Sequence, residues 1–274
     1  MDGVGRAVPP SSPDRQTAGV LLALKLLLAP ALVVLSSLAA RRWGPRLGGI
    51  LVTIPIVAGP ILLIIYLEHG AAFAAQAATA ATAANVALAV FALVLVLVVD
   101  RVAWPLAVVI TWTAVLATDL GLARASLPAW VALIAAIAAL HAVQHVLRRQ
   151  SFDLVAATPM PWWDLPARAA ATAALVLVVT GVAAALGPEL SGVLAPFPIA
   201  LSVVCAFAAA QSGRNGVIGL LRGIVPGLDG FAVFCFVVAV TVERLPGWAA
   251  FSLATAVNVG FAAVLVTTGR RLGT

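Results

Sequence analysis

Lys25, Arg222 and Asp229 are charged side chains inside apolar runs of the chain. A charge in the middle of a membrane segment costs about 2.5 kcal/mol or more, so such residues pair, face a bundle interior, or serve a substrate or ion pathway. Lys25 and Asp229 fall at similar expected depths, and two readings are open. Either they form an ion pair that locks two helices, with Arg222 snorkelling toward the interface, or they line a binding site together with Arg222. Between Arg222 and Asp229 runs Gly223-Ile224-Val225-Pro226-Gly227. A proline without an N–H among glycines predicts a kinked or unwound helix with freed backbone groups. Two fixed cations against one carboxylate lean slightly toward an anionic substrate or a lipid headgroup.

Gln76, Thr79, Thr82 and Asn85 recur at three-residue steps on an alanine-rich background. They are either the lining of a polar path, with Gln76 and Asn85 as binding residues, or hydrogen-bonding glue between helices. His141 and His145 stand four apart, with Gln144 beside them. That spacing puts two ligands on one helix face, but no carboxylate or third histidine accompanies them, so neither a metal nor a cofactor is expected. A role in proton coupling and an interfacial polar cap are the other readings. His69, beside Glu68, falls in a loop. There is no Ser-His-Asp set, His-Glu-x-x-His helix, phosphate loop or Asp-rich prenyl-diphosphate motif, and the chain is not expected to be an enzyme. Cys205 and Cys235 sit in apolar runs and read as packing residues.

The elements that must position these side chains follow from composition. Of 274 residues 63% are hydrophobic and 9% charged, with mean hydropathy +1.13, whereas soluble domains carry about 25% charged residues. A globule so poor in charge cannot cover its surface, and a bilayer removes that need. Since about 20 apolar residues cross a core of roughly 30 Å, the expected spans are 17–40, 48–67, 71–99, 102–122, 127–147, 167–186, 190–211, 215–242 and 246–268. The fold class is all-α, a polytopic bundle of about nine spans. The net charge of +6 resides in arginines between the spans, where it sets orientation rather than binding nucleic acid. Arg41, Arg42, Arg46, Arg101, Arg148, Arg149, Arg214, Arg270 and Arg271 occupy odd connections and the C-terminal tail, while the even ones hold only Arg124 and Arg244 alongside Glu68, Glu189 and Glu243. The N-terminus is therefore expected outside and the C-terminus in the cytoplasm. Six of the seven tryptophans fall near span ends, as interfacial indoles do.

The two halves align without a gap at a shift of 143 residues, which lays Lys25 on Arg168, Gly44-Pro45 on Gly187-Pro188, Gly49 on Gly192, Pro55-Ile56 on Pro198-Ile199 and Gly70 on Gly213. A second echo, Leu127-Pro128-Ala129-Trp130 against Leu245-Pro246-Gly247-Trp248, needs a shift of 118, one helix less. Span 102–122 is then an insertion. The expected organisation is a disordered tail at 1–16, a five-span repeat at 17–147, an interfacial cytoplasmic linker at 148–166, a four-span repeat at 167–268 and a tail at 269–274. An odd number of spans precedes the second copy, so the repeats are inverted, an architecture of secondary transporters with midplane sites.

The stretch Ser191-Gly192-Val193-Leu194-Ala195-Pro196-Phe197-Pro198, with a basic residue one helix earlier and Leu221-Arg222-Gly223 after it, resembles the GlpM-like bacterial inner-membrane proteins. Those are single four-helix units, so the chain resembles two such units fused. The first half departs from the pattern, with Thr53-Ile54-Pro55 in place of Pro196-Phe197-Pro198 and Thr79 opposite Arg222. The resemblance implies the repeat and carries no activity or substrate.

The expected function is a small secondary transporter or permease of the bacterial inner membrane, its partners being the bilayer and a small-molecule or lipid substrate. Breaks at Pro55, Gly59-Pro60, Pro196, Pro198 and Pro226 would shape its cavity. A membrane scaffold for envelope polysaccharide or lipid synthesis is the alternative, and an intramembrane enzyme on a lipid-linked substrate the third. Intramembrane charges that are all paired favour the scaffold, a polar cavity the transporter, and a lateral cavity holding paired carboxylates the enzyme.

Overall fold

A bilayer core offers backbone groups no water, so a continuous apolar run must satisfy its own N–H and C=O groups as a helix. The computed structural model, whose described residues are 23, 26–35, 37–38, 42, 58–151, 161–186 and 197–271, is helical throughout with short connections and has no strand among them. Seven helices are described: α1 (Leu26–Leu35), α2 (Ala58–Val98), α3 (Trp104–Ala125), α4 (Ala129–Arg149), α5 (Asp164–Leu186), α6 (Ile199–Thr241) and α7 (Gly247–Arg271). The last six have stretches long and apolar enough to cross a membrane. The connections carry the expected stop signals. Pro105 sits in the first turn of α3, Ser126 ends that helix in the left-handed conformation (φ 44°), and Pro128 precedes α4.

At 41 and 43 residues, α2 and α6 would each be about 60 Å long if straight, twice a hydrocarbon core of about 30 Å. Each is broken at one glycine. Gly70 has φ 82° and ψ 178°, and Gly213 has φ 57° and ψ −148°, backbone territory essentially reserved for glycine. The chain doubles back tightly at the second break. A Cβ built on Gly216 would stand 3.1 Å from the carbonyl oxygen of Ala208 and collide with Ser212 Cβ, although eight residues of straight helix separate atoms by about 12 Å. Only a glycine lets the two arms touch there. At the first break the rings of His69 and Phe73 stack across Gly70, centroids 4.8 Å apart.

The expected unwinding at Gly223–Gly227 does not occur: the second arm of α6 stays helical through Pro226, and its only non-helical residue is Gly213. In a membrane the carbonyls freed by proline are costly to expose, so a helix held on several sides bends rather than opens.

α2 and α6 form the centre. α2 packs on α3, α4 and α6, and α6 also on α4 and α7. Alanines at positions 74, 75, 78, 83, 84, 87, 89 and 92 of α2 are buried and let neighbouring helices approach closely, the packing mode that holds membrane bundles together. The outer helices expose Ile134, Val178, Trp130 and Val259, apolar surface suited to lipid. Two apolar clusters result. The first joins Ala87–Val96 of α2 and Val99 just past its end, Leu140, Val143 and Leu147 of α4, Ala107 and Val115 of α3 and Val217–Leu228 of α6. The second joins Leu62, Ala74 and Ala78 of α2, Phe234–Val242 around the end of α6, and Ala250 and Ala254 of α7. The described part of α1 packs through Val33 on Val203 and Val204, in the first arm of α6.

Candidate functional site

Five of the polar side chains buried in the bundle, Thr82, Asn85, Asp119, Asp229 and Asn258, lie at the level of the gap between these clusters. On α2 the gap runs from Ala78 to Ala87 and holds Thr82 and Asn85; on α6 it runs from Leu228 to Phe234 and holds Asp229. Asp119 lies one turn beyond Val115 on α3, and Asn258 one turn beyond Ala254 on α7. A Cβ on Gly230 would meet Asn258 Nδ2 at 3.2 Å and the Phe261 ring at 2.8 Å, so the glycine beside Asp229 is what admits α7 to this level. Asn85, Asp229 and Asn258 fall near the middles of their helical segments, which places the layer at mid-bundle.

Asp229 is 6% exposed. Its Oδ2 accepts a 2.8 Å hydrogen bond from Gln144 Nε2, and its Oδ1 lies 3.7 Å from His141 Nδ1. His141 Nδ1 also lies 2.9 Å from the Ile137 carbonyl oxygen, which can only accept, so that nitrogen carries a proton. The structure therefore brings together residues that the sequence offered as separate candidates: the carboxylate missing beside the two histidines is Asp229, contributed by α6.

Three side-chain oxygens among the described residues are buried without a hydrogen-bond partner: Asn85 Oδ1, Asp119 Oδ2 and Asp229 Oδ1. All belong to this layer, and all are acceptors. A buried polar group left unpaired costs about 1–3 kcal/mol, so three in one layer are a concentrated expense that packing does not explain. Asp119 was invisible as a candidate because it closes a long apolar run; the signal available was the lone acid in span 102–122.

The other expected site residues separate. Lys25 lies outside the described residues. Arg222 donates through Nε and Nη2 to the Leu147 carbonyl oxygen at 3.1 and 2.8 Å and through Nη2 to that of Gln150 at 2.6 Å. It thus caps the C-terminal end of α4, where a cation is favoured by the helix dipole. Gln76 is exposed while Asn85 is buried, because three-residue steps drift by about 60° each and nine residues carry a side chain to the opposite face. Thr79 and Thr82 return their hydroxyls to the Ala75 and Ala78 carbonyls, and Asn85 Nδ2 donates to the Ala81 and Thr82 carbonyls. The four residues do not line one path.

A second buried charged group stands at the start of α5. Arg168 Nε donates to Asp164 Oδ2 at 2.9 Å and Arg168 Nη2 to Gln211 Oε1 at 3.2 Å, while Gln211 Nε2 donates to Asp164 Oδ1. The guanidinium also lies over the Phe207 ring, 4.8 Å from its centroid. Beside it, an apolar cleft of about 720 Å³ opens between α3 and α5, floored by the first arm of α6 and lined by Trp104, Trp112, Trp163, Leu175 and Phe207, with no carboxylate in its lining.

The chain matches no family model, no curated protein and no solved structure. What it can do must be argued from the layer itself. Two carboxylates, three unpaired acceptors and a histidine at mid-bundle can hold a proton, a cation or a hydrogen-bond donor; among the described residues no group of three His, Cys, Asp or Glu is placed to hold a metal.

Proposed function

We propose that the chain is a small secondary transporter of the bacterial inner membrane whose binding region is the polar layer around Asp229. The observation that carries this reading is the set of unpaired acceptors on Asn85, Asp119 and Asp229, buried between two apolar clusters. A scaffold gains nothing from unpaired buried acids, and an enzyme on a lipid-linked substrate is not favoured by a lateral cleft without carboxylates. Because the unpaired atoms are acceptors and Arg222 is engaged with α4, the substrate class we favour is a cation or hydrogen-bond donor, in place of the anion suggested by counting charges.

The glycine breaks support the finer architecture. Gly70 and Gly213 are 143 residues apart, the repeat shift, and both adopt a glycine-only conformation that turns one helix into two arms. Read as one crossing each, those arms would make nine crossings in two inverted repeats with α3 inserted, and the arginine-bearing connections would put the N-terminus outside, in line with a tandem GlpM-like unit. Rocking of one repeat against the other would expose the layer alternately.

Alternating exposure is testable without knowing the substrate. Asn85→Cys or Gln144→Cys, in a background with Cys205 and Cys235 replaced by alanine, is treated in oriented vesicles with an impermeant thiol reagent. Labelling from both sides is expected. Labelling from neither side, or from one side only under every gradient applied, excludes transport through this layer.

A further inference from the structure

Asp229 is more than nine-tenths buried, and its Oδ1 has no hydrogen-bond partner. The polar groups at its level come from three neighbouring helices. α4 presents Gln144, His141 and, one turn on, His145; α2 presents at this level the neutral Thr82 and Asn85, and α7 Asn258. α6 itself carries Arg222 two turns away, bonded to the Leu147 and Gln150 carbonyls. Of the remaining packed helices, α3 carries Asp119 and Arg124, and α5 carries Asp164 and Arg168, which are bonded to each other. Among the described residues, only His141 brings a titratable nitrogen to within 4 Å of the carboxylate, at 3.7 Å.

His141 is 61% exposed, and His145, Arg148 and Arg149 follow it on the exposed face of α4. Residues four apart on a helix lie about 5–6 Å from each other, so the imidazoles form a file from the arginine-bearing end of α4 to the mid-bundle carboxylate. We infer that Asp229 is a proton-binding site loaded from that end through His145 and His141. The inference rests on the transporter reading for its purpose, coupling, but not for its chemistry.

The step balances on groups present in the chain. His141 donates Nδ1–H to the Ile137 carbonyl, so the incoming proton adds at Nε2 and creates an imidazolium. A closure of under about 1 Å brings Nδ1 from 3.7 Å to ordinary hydrogen-bond distance of Asp229 Oδ1. The Nδ1–H bond then breaks and an O–H bond forms on Oδ1. An imidazolium and a carboxylate become a neutral imidazole and a neutral acid, and Gln144 holds Oδ2 throughout. Neutralising Asp229 removes the charge that opposes helix movement in a low-dielectric interior.

The test is difference infrared spectroscopy of the full chain in lipid nanodiscs, titrated from alkaline to acid. A protonated-carboxyl C=O band should grow on acidification, vanish in Asp229→Asn and persist in Asp119→Asn. After a pH jump its rise should slow roughly tenfold or more in His141→Gln with unchanged amplitude, and less in His145→Gln. If Asp229→Asn fails to purify, Asp229→Glu, whose band shifts in frequency, makes the assignment. A spectrum with no band assignable to position 229 at any pH overturns the inference, as does a rise that His141→Gln leaves unaltered. A titrating Asp229 with one-sided thiol labelling of the layer would sink transport and leave the proton site standing; two-sided labelling with an ionised Asp229 would do the reverse.

Discussion

Asp164 and Asp229, two of the three aspartates buried among the described residues, are treated in opposite ways. Asp164 has both oxygens engaged, by Arg168 and by Gln211, and Arg168 itself lies against Phe207. Asp229 has one oxygen held by an amide and the other left facing a histidine at 3.7 Å. A buried charge that is fully hydrogen-bonded and paired has no vacancy for a ligand or proton. One that is half-finished has, and its incompleteness is tolerable only if something completes it for part of the time. The Arg168–Asp164–Gln211 set is thus a closed ion network, whereas Asp229 keeps an acceptor open to a ligand or proton.

The largest effect should come from breaking the finished network. Arg168→Met leaves Asp164 charged and buried, and the loss should be about 3–5 kcal/mol by chemical unfolding in mixed micelles. Adding Asp164→Leu to that variant should recover much of it, since the lone survivor is the costly species. Additive losses would mean that the two residues act independently, and the distinction between the aspartates would weaken.

Next come the two glycine breaks. Gly70→Ala and Gly213→Ala meet no neighbouring atom within 4 Å, so their cost is backbone strain alone, about 1–3 kcal/mol each. Equal losses at the two positions would sharpen the repeat. A loss at only one would show that the breaks, although equally spaced from their copies, are not equally used.

How far this was legible in the sequence varies by scale. Helix positions follow from the apolar runs, and the expected gaps between spans at 68–70 and 212–214 contain the breaks at Gly70 and Gly213. The chemistry was legible only residue by residue. Nothing local says that α4 packs on α6, so His141, Gln144 and Asp229 read as unrelated candidates. Pro226 misleads because rules drawn from water, where an unpaired carbonyl finds a solvent partner, overstate how far a membrane helix opens. The Gln76–Asn85 series misleads because a step of three looks like one face over two members and is not one over four.

A smaller effect is expected at Arg222. Its bonds run to carbonyls at the end of α4, so Arg222→Gln should lower stability by about 1 kcal/mol and leave the Asp229 infrared band in place. Loss of the band would tie Arg222 to the mid-bundle site after all, and the anionic-substrate reading would regain support.

The smallest effect on stability should come from Asp229→Asn, and that is its value. If Asp229 were the partner of Lys25, a locking ion pair would be lost and Lys25 stranded, at a cost of about 3–5 kcal/mol. If it is a half-engaged site instead, the asparagine carbonyl still accepts from Gln144 and its amide group takes the place of the unpartnered Oδ1. The exchange then swaps one unpaired polar group for another and breaks no ion pair, and the unfolding free energy should change by less than about 1 kcal/mol in either direction. Lys25→Met in the same assay supplies the control, because an ion pair predicts coupling between the two substitutions and a proton site predicts none. A large loss for Asp229→Asn that Lys25→Met relieves would restore the ion pair and remove the vacancy on which the site depends.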